Sequence, residues 1–302
     1  MSLDLKVEAE LVAGVACEAG KLLMTYFGRR LKSQTKKDAT PVTEADLASN
    51  ELICQMIASE RPDHLILSEE AGGSVGAAGQ GKQLAQMITS KDELLKIRAE
   101  VPSKKQNEGR LLWVVDPLDG TANFMHGLPY FSVSIGLVEI FFDQREVLQL
   151  RPLIGAVFHP ATSQVYSAWQ GGGAFLSSAK IQSSEHGTLE GAFVSCGYHG
   201  SLANKGYENA YIDISRTVDS SRRMGSAALD LANTAAGVFD AFFDAALQPW
   251  DMAAAAVILK EAGAEIGNFP GLGCREEFDL LERGIVAGSS GLVKEINRKF
   301  DV

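Results

Sequence analysis

The residues of this chain best suited to chemistry are acids set at the ends of apolar runs. Trp113 to Phe124 reads WVVDPLDGTANF, an apolar strand that delivers Asp116 and Asp119 into a turn. There Pro117 pins φ and Gly120 relaxes it. Two acids three apart in such a turn can converge on one point, with the Leu118 carbonyl beside them. Hard oxygen donors of this kind suit Mg²⁺. A lone DxxD is more often a solvated turn. Here, however, the pair follows an apolar strand directly and precedes a Gly-Thr able to open a helix, where the Gly120 and Thr121 N–H groups would form a phosphate cradle.

Two further acid sites are less distinctive. Ser68-Glu69-Glu70 closes the apolar run HLILS, and Pro249-Trp250-Asp251 heads the apolar stretch MAAAAVILKEAG. Alone, the first reads equally well as a charged strand exit. Alone, the second reads as an N-terminal acid favoured by the helix dipole.

The elements that must position these acids follow from periodicity. Leu11, Val15, Ala19, Leu22 and Tyr26 recur at helical spacing, so the chain opens with an amphipathic helix. After the polar stretch KSQTKKDAT, a second helix is expected from Thr43 to Arg61 with Thr43 as its N-cap. A short buried strand follows at His64 to Ser68. Residues 71–110 read as a surface insertion: GGSVGAAGQGK precedes an amphipathic helix over 83–98 carrying Leu84, Met87, Ile88, Leu94 and Leu95. From Leu111 the strands LLWVV, FSVSIGLV, IGAVFH, QVYSAW and AFVSC suggest a largely antiparallel sheet, with a hairpin turn at Gly171 to Gly173. Helices are expected at 226–237 and 249–263. Alternating strands and helices make this an α/β or α+β layered protein, one unit over 1–302 with two sub-lobes.

Composition narrows the function. A chain of 302 residues with 46% hydrophobic residues can bury a sizeable core. Its formal net charge of −10 argues against a nucleic-acid partner, which would require basic patches. An anionic substrate is compatible with that charge only if metal ions and backbone N–H groups hold its phosphate. Cys17, Cys54, Cys196 and Cys274 show neither CxxC nor zinc spacing, as expected of reduced cytoplasmic thiols. The acidic start MSLDLKVEAELVAG is not signal-like, and no run approaches membrane length.

Several weaker patterns are set aside. GAAGQGK (76–82) matches the GxxxxGK core of a P-loop, but Gln83 stands where Ser or Thr would ligate Mg²⁺. A P-loop nucleotide-binding protein remains the rival of another class. His64, His126, His159, His186 and His199 lack metal spacing, and His126 reads as structural. Lys36 and Lys37 read as a solvated pair.

The motifs PVTEAD (41–46), SEE (68–70), DPLDGTANF (116–124), MGSAALDLA (224–232) and WDMAAA (250–255) together resemble the inositol monophosphatase family along nearly the whole chain. The resemblance implies an αβαβα layered sandwich and a Mg²⁺-dependent, lithium-sensitive phosphomonoesterase, usually a homodimer. It implies that Glu69, Asp116, the Leu118 carbonyl, Asp119 and Asp251 hold two or three Mg²⁺. Asp46 and Thr121, with metal-bound Glu69, would orient or deprotonate the attacking water. Asp119, Gly120 and Thr121 would lie against the phosphate, and Gly225, Ser226, Ala227 and Asp244 against the alcohol. Electrostatics agrees: like charges about 4 Å apart repel by about 4 kcal/mol at an effective dielectric near 20, so gathered acids must protonate or recruit cations. The insertion at 71–110 is long for this family. Among substrates, myo-inositol-1-phosphate ranks first. Fructose bisphosphate, 3′(2′),5′-bisphosphate nucleotides and histidinol phosphate follow.

Overall fold

A computed structural model of the chain describes residues 3–35, 41–70, 86–88, 110–142, 148–199, 205–269 and 278–300. The P-loop-like segment 76–82 set aside above, Lys36, Lys37 and Cys274 lie outside the described residues.

Five layers build the molecule. Helices α1 (Leu5–Tyr26) and α2 (Glu44–Glu60) form the first. Asp4 caps α1, and Thr43 caps α2 in a capping box whose reciprocal member is Asp46. The buried stripe of α1 centres on Val12, Val15, Ala16, Ala19 and Leu23. Leu11 and Tyr26 only flank it, so the expected face is rotated by part of a turn.

These helices cover one face of an eight-stranded sheet. In space its order is β10 (Ala179–Lys180), β9 (Gly173–Leu176), β8 (Gln164–Trp169), β7 (Leu148–His159), β6 (Ser132–Phe142), β5 (Arg110–Asp119), β3 (Leu65–Ser68) and β4 (Gln86–Ile88). A separate small hairpin pairs β1 (Ser33–Thr35) with β2 (Pro41–Thr43). The middle layer is α5 (Ala227–Ala235) and α6 (Pro249–Glu261). Below it lies a five-stranded sheet ordered β12 (Ser220–Arg222), β11 (Phe193–Cys196), β13 (Ala241–Asp244), β15 (Ile285–Gly288) and β14 (Glu265–Gly267). Helices α4 (Lys205–Thr217) and α7 (Ser290–Phe300) close the far side, and one-turn α3 (Thr121–Met125) follows β5. Three apolar clusters fill the spaces between successive layers.

Two sequence expectations are corrected. Residues 86–88, assigned to a helix over 83–98, form β4, paired parallel to β3 with Met87 opposite Ile66. The rest of that helix lies outside the described residues. The unpaired backbone groups along the outer edge of β3 outweigh a helical pattern of apolar residues. The pairing from β5 to β10 is antiparallel, as expected, while β3 pairs parallel with both β4 and β5. AFVSC does not extend this sheet: β11 belongs to the second one, parallel to β12 and β13. Among the described residues no helix is long and apolar enough to cross a membrane.

Candidate active site

The segment read as a Pro/Gly turn is a bulge within β5. Asp116 faces Ser134 of β6, whereas Asp119 faces Ser132, so β5 carries one extra residue between the two acids. In an unbroken strand, residues three apart point to opposite faces; the extra residue restores a common face. Pro117, which has no N–H to donate, is tolerated at such an irregularity. The Ser49 hydroxyl of α2 holds the bulge by donating to the Pro117 carbonyl at 2.8 Å. Gly120 then takes φ +90°, and a Cβ there would lie 3.1 Å from the Gly225 carbonyl oxygen, so both conformation and space require glycine.

Asp251 arrives from the first turn of α6, where its Oδ2 accepts the Gln248 N–H at 2.7 Å. Ligand atoms of Asp116, Asp119 and Asp251 lie within 4.8 Å of one another. Glu69 reaches the same cleft from the end of β3, its N–H donating to Val115 of β5. Thus the parallel pairing of β3 with β5 delivers one acid, the bulge two, and the helix the fourth. The cleft has a volume of about 420 Å³, ordinary for a small-molecule site.

Burial raises the carboxyl of Asp116 well above its usual range, and Glu69, Asp119 and Asp251 raise it further. Asp251 is raised by burial and then by Asp119. Asp119 is pushed up to about 6 by burial, despite hydrogen bonds that favour its charged form. Those bonds come from the start of α5: Ser226 Oγ at 2.6 Å and Ala228 N at 2.8 Å to Oδ2, and Ala227 N at 3.2 Å to Oδ1. Three carboxyls that resist ionisation, two buried and Asp251 half-buried, offering only oxygen, fit a hard divalent cation.

Asp46 stands at the other edge of the bulge. Its Oδ1 accepts from Thr121 Oγ1 at 2.9 Å, and its Oδ2 accepts the Thr43 N–H at 2.8 Å and the Thr43 hydroxyl. Burial raises its carboxyl despite these bonds. Gly225, Ala227 and Asp244 line the wall opposite. Ser226 lines it too, but its hydroxyl is buried and turned inward to Asp119, leaving backbone for a ligand.

Three residues of this wall had no role in the sequence reading. His199, there set aside for lacking metal spacing, bonds Asp244 Oδ1 through Nε2 at 2.9 Å, and that bond raises its imidazole. Asp230 is buried and pushed up to about 7 by burial. Arg223 is exposed at the cleft rim. Only Asp230 left a trace in the sequence, as an acid in the otherwise apolar helix AALDLA. His126, by contrast, only bonds the Ala122 carbonyl in an exposed turn.

A two-sheet sandwich with oxygen-rich acids converging in the cleft between its layers defines a metal-dependent phosphatase. The chain belongs to the inositol monophosphatase family, whose sequence profile matches residues 4–301. It is 34% identical over 290 residues to the inositol-1-monophosphatase of Rhizobium meliloti, covering 92% of this chain and 90% of that one. It is 32% identical over 288 residues to the Nus factor SuhB of Pseudomonas aeruginosa, covering 93% and 91%. The solved IMPase of Thermotoga maritima matches with a TM-score of 0.74 at 27% identity, covering 98% of this chain and 96% of that one. Membership makes the chain a phosphoric monoester hydrolase acting on small phosphorylated substrates.

Proposed function

We propose that this chain hydrolyses the phosphate ester of a small polyol or sugar, with myo-inositol-1-phosphate, cleaved to myo-inositol and phosphate, as the leading substrate. The observation that carries this reading is the group of Asp116, Asp119 and Asp251 within 4.8 Å, facing the hydroxyl-binding candidate Asp244 across one cleft. The name of the Rhizobium relative supports the substrate.

In this reading Glu69, Asp116, the Leu118 carbonyl, Asp119 and Asp251 hold two or three Mg²⁺. When bound, the ions supply Lewis acidity at phosphorus and lower the pKa of coordinated water. Thr121 Oγ1 donates its hydrogen to Asp46 Oδ1, which leaves its lone pairs to accept a hydrogen from the attacking water. The raised carboxyl of Asp46 suits it to take up that proton. Asp244 accepts a polyol hydroxyl, while Gly225, Ser226 and Ala227 offer a backbone shelf. The P–O ester bond breaks as the water oxygen bonds to phosphorus, and the alkoxide leaves with a proton from solvent. A lithium-sensitive homodimer in the cytoplasm completes the reading.

The test is phosphate release from inositol-1-phosphate, fructose-1,6-bisphosphate, 3′-phosphoadenosine-5′-phosphate and histidinol phosphate, each with Mg²⁺ and with EDTA. Release should be fastest from inositol-1-phosphate and vanish in EDTA. Asp116→Asn should lower it by more than the roughly 10–100-fold typical of losing a group that only supports a ligand. Turnover that persists in EDTA, or none on any ester, would overturn the assignment.

A further inference from the structure

Residues 119–132 and 224–233 are laced together by three sets of hydrogen bonds. At one end Asp119 accepts from Ser226, Ala227 and Ala228. In the middle, Asn123 Nδ2 donates to the Tyr130 carbonyl at 2.7 Å and the Met224 carbonyl at 2.8 Å. At the far end the Tyr130 hydroxyl donates to Asp230 Oδ1 at 2.5 Å and accepts from Asn233 Nδ2 at 3.0 Å. The other oxygen of Asp230 accepts from Ser195 Oγ at 2.8 Å. Ser195 lies on β11, so Asp230 ties the five-stranded sheet to the loop that leads into β6 of the eight-stranded one.

Asp230 is 2% exposed; its carboxyl accepts from the Tyr130 and Ser195 hydroxyls, and the charges that act on it are those of Asp119 and Asp244. A buried carboxylate is costly where a neutral side chain would fill the space. What the acid provides is two acceptor oxygens, one bonded to Tyr130 in the loop before β6 and one to Ser195 of β11. It also lies one turn beyond Ser226, its N–H bonded to the Ser226 carbonyl at 2.9 Å. Fixing Asp230 therefore fixes the turn whose N–H groups grip Asp119.

We propose that the Tyr130–Asp230–Ser195 bridge is a positioning device for Asp119: it clamps the first turn of α5 so that the Asp119 carboxylate keeps the orientation a divalent cation needs. This rests on the reading of Asp119 as a metal ligand. Groups that orient a ligand are commonly worth 10–100-fold in metal affinity. Tyr130→Phe removes one oxygen and keeps the ring that packs edge-on against His159. Ser195→Ala cuts the other arm.

The experiment is calorimetric titration of Mg²⁺ into the full-length metal-free protein without substrate, beside thermal unfolding in EDTA. Each variant should weaken Mg²⁺ binding by about 10-fold, and the Mg²⁺ concentration for half-maximal turnover should rise in step. Asp230→Asn, which keeps one acceptor oxygen, should lose less than Asp230→Ala. Wild-type Mg²⁺ affinity in both single variants, with only a lower unfolding temperature in EDTA, would show a merely structural bridge and overturn the proposal. Failure of the unaltered protein to bind Mg²⁺ would instead overturn the metal-site reading on which it rests.

Discussion

Single side chains in the cleft do two things at once. Asp119 is held by three donors of α5 and also raised to about 6 by burial. Asp251 closes a capping box and is also raised. Because these folded-state values lie above the ordinary 3.8, the metal-free fold binds protons more tightly than the unfolded chain does. The stabilisation from those protons is complete below about pH 4 and lost as pH rises through the folded values, near 6 for Asp119. In the proposed reading a cation competes for the same oxygens, so its stabilising effect runs the other way. Thermal unfolding with and without Mg²⁺ should show a small Mg²⁺-induced rise in Tm near about pH 5 and a larger one near about pH 8. An increment independent of pH would mean that the ion binds elsewhere.

At the scale of elements, the start of α2 carries a capping box and, in the proposed reading, the general base in the same turn. Thr43 caps the helix, and its hydroxyl and N–H both hold Asp46 Oδ2. Those bonds favour the charged form of Asp46. Thr43→Ala should cost about 1 kcal/mol in urea unfolding and move the acid limb of the pH–rate profile upward, because Asp46 would then deprotonate at higher pH. A stability loss with an unmoved limb would separate the cap from the chemistry. The middle layer depends on the shape of the backbone as well as on its apolar side chains. Gly136 of β6 and Gly155 of β7 face each other across the sheet, and α6 lies in the groove they leave.

For the whole molecule, that groove sets how deeply the fourth acid enters the cleft. A Cβ on Gly155 would lie 2.1 Å from the Ala254 carbonyl oxygen, and one on Gly136 2.9 Å from Ala253 Cβ. Neither contact can be relieved by rotating a flexible side chain. Gly155→Ala should therefore push α6 outward, costing about 1–3 kcal/mol in chemical unfolding, and carry Asp251 away from Asp116. The Mg²⁺ requirement should rise with the stability loss; an unchanged requirement would show that Asp251 is seated independently of the helix packing.

Much of this architecture was legible in local chemistry. Thr43 as a cap, the strand into Asp116, and the helix headed by Pro249 are written in short-range rules of propensity, capping and alternation, which depend on neighbours a few residues away. The motifs likewise single out the acids. What the sequence could not supply was the geometry among distant segments. The parallel placement of β3 beside β5, the recruitment of 86–88 as an edge strand, the extra residue in β5 and the pairing of His199 with Asp244 arise from backbone groups and side chains far apart in the chain. Their partners are selected by which hydrogen bonds and apolar faces remain unsatisfied once the layers stack, and that competition is resolved only in three dimensions.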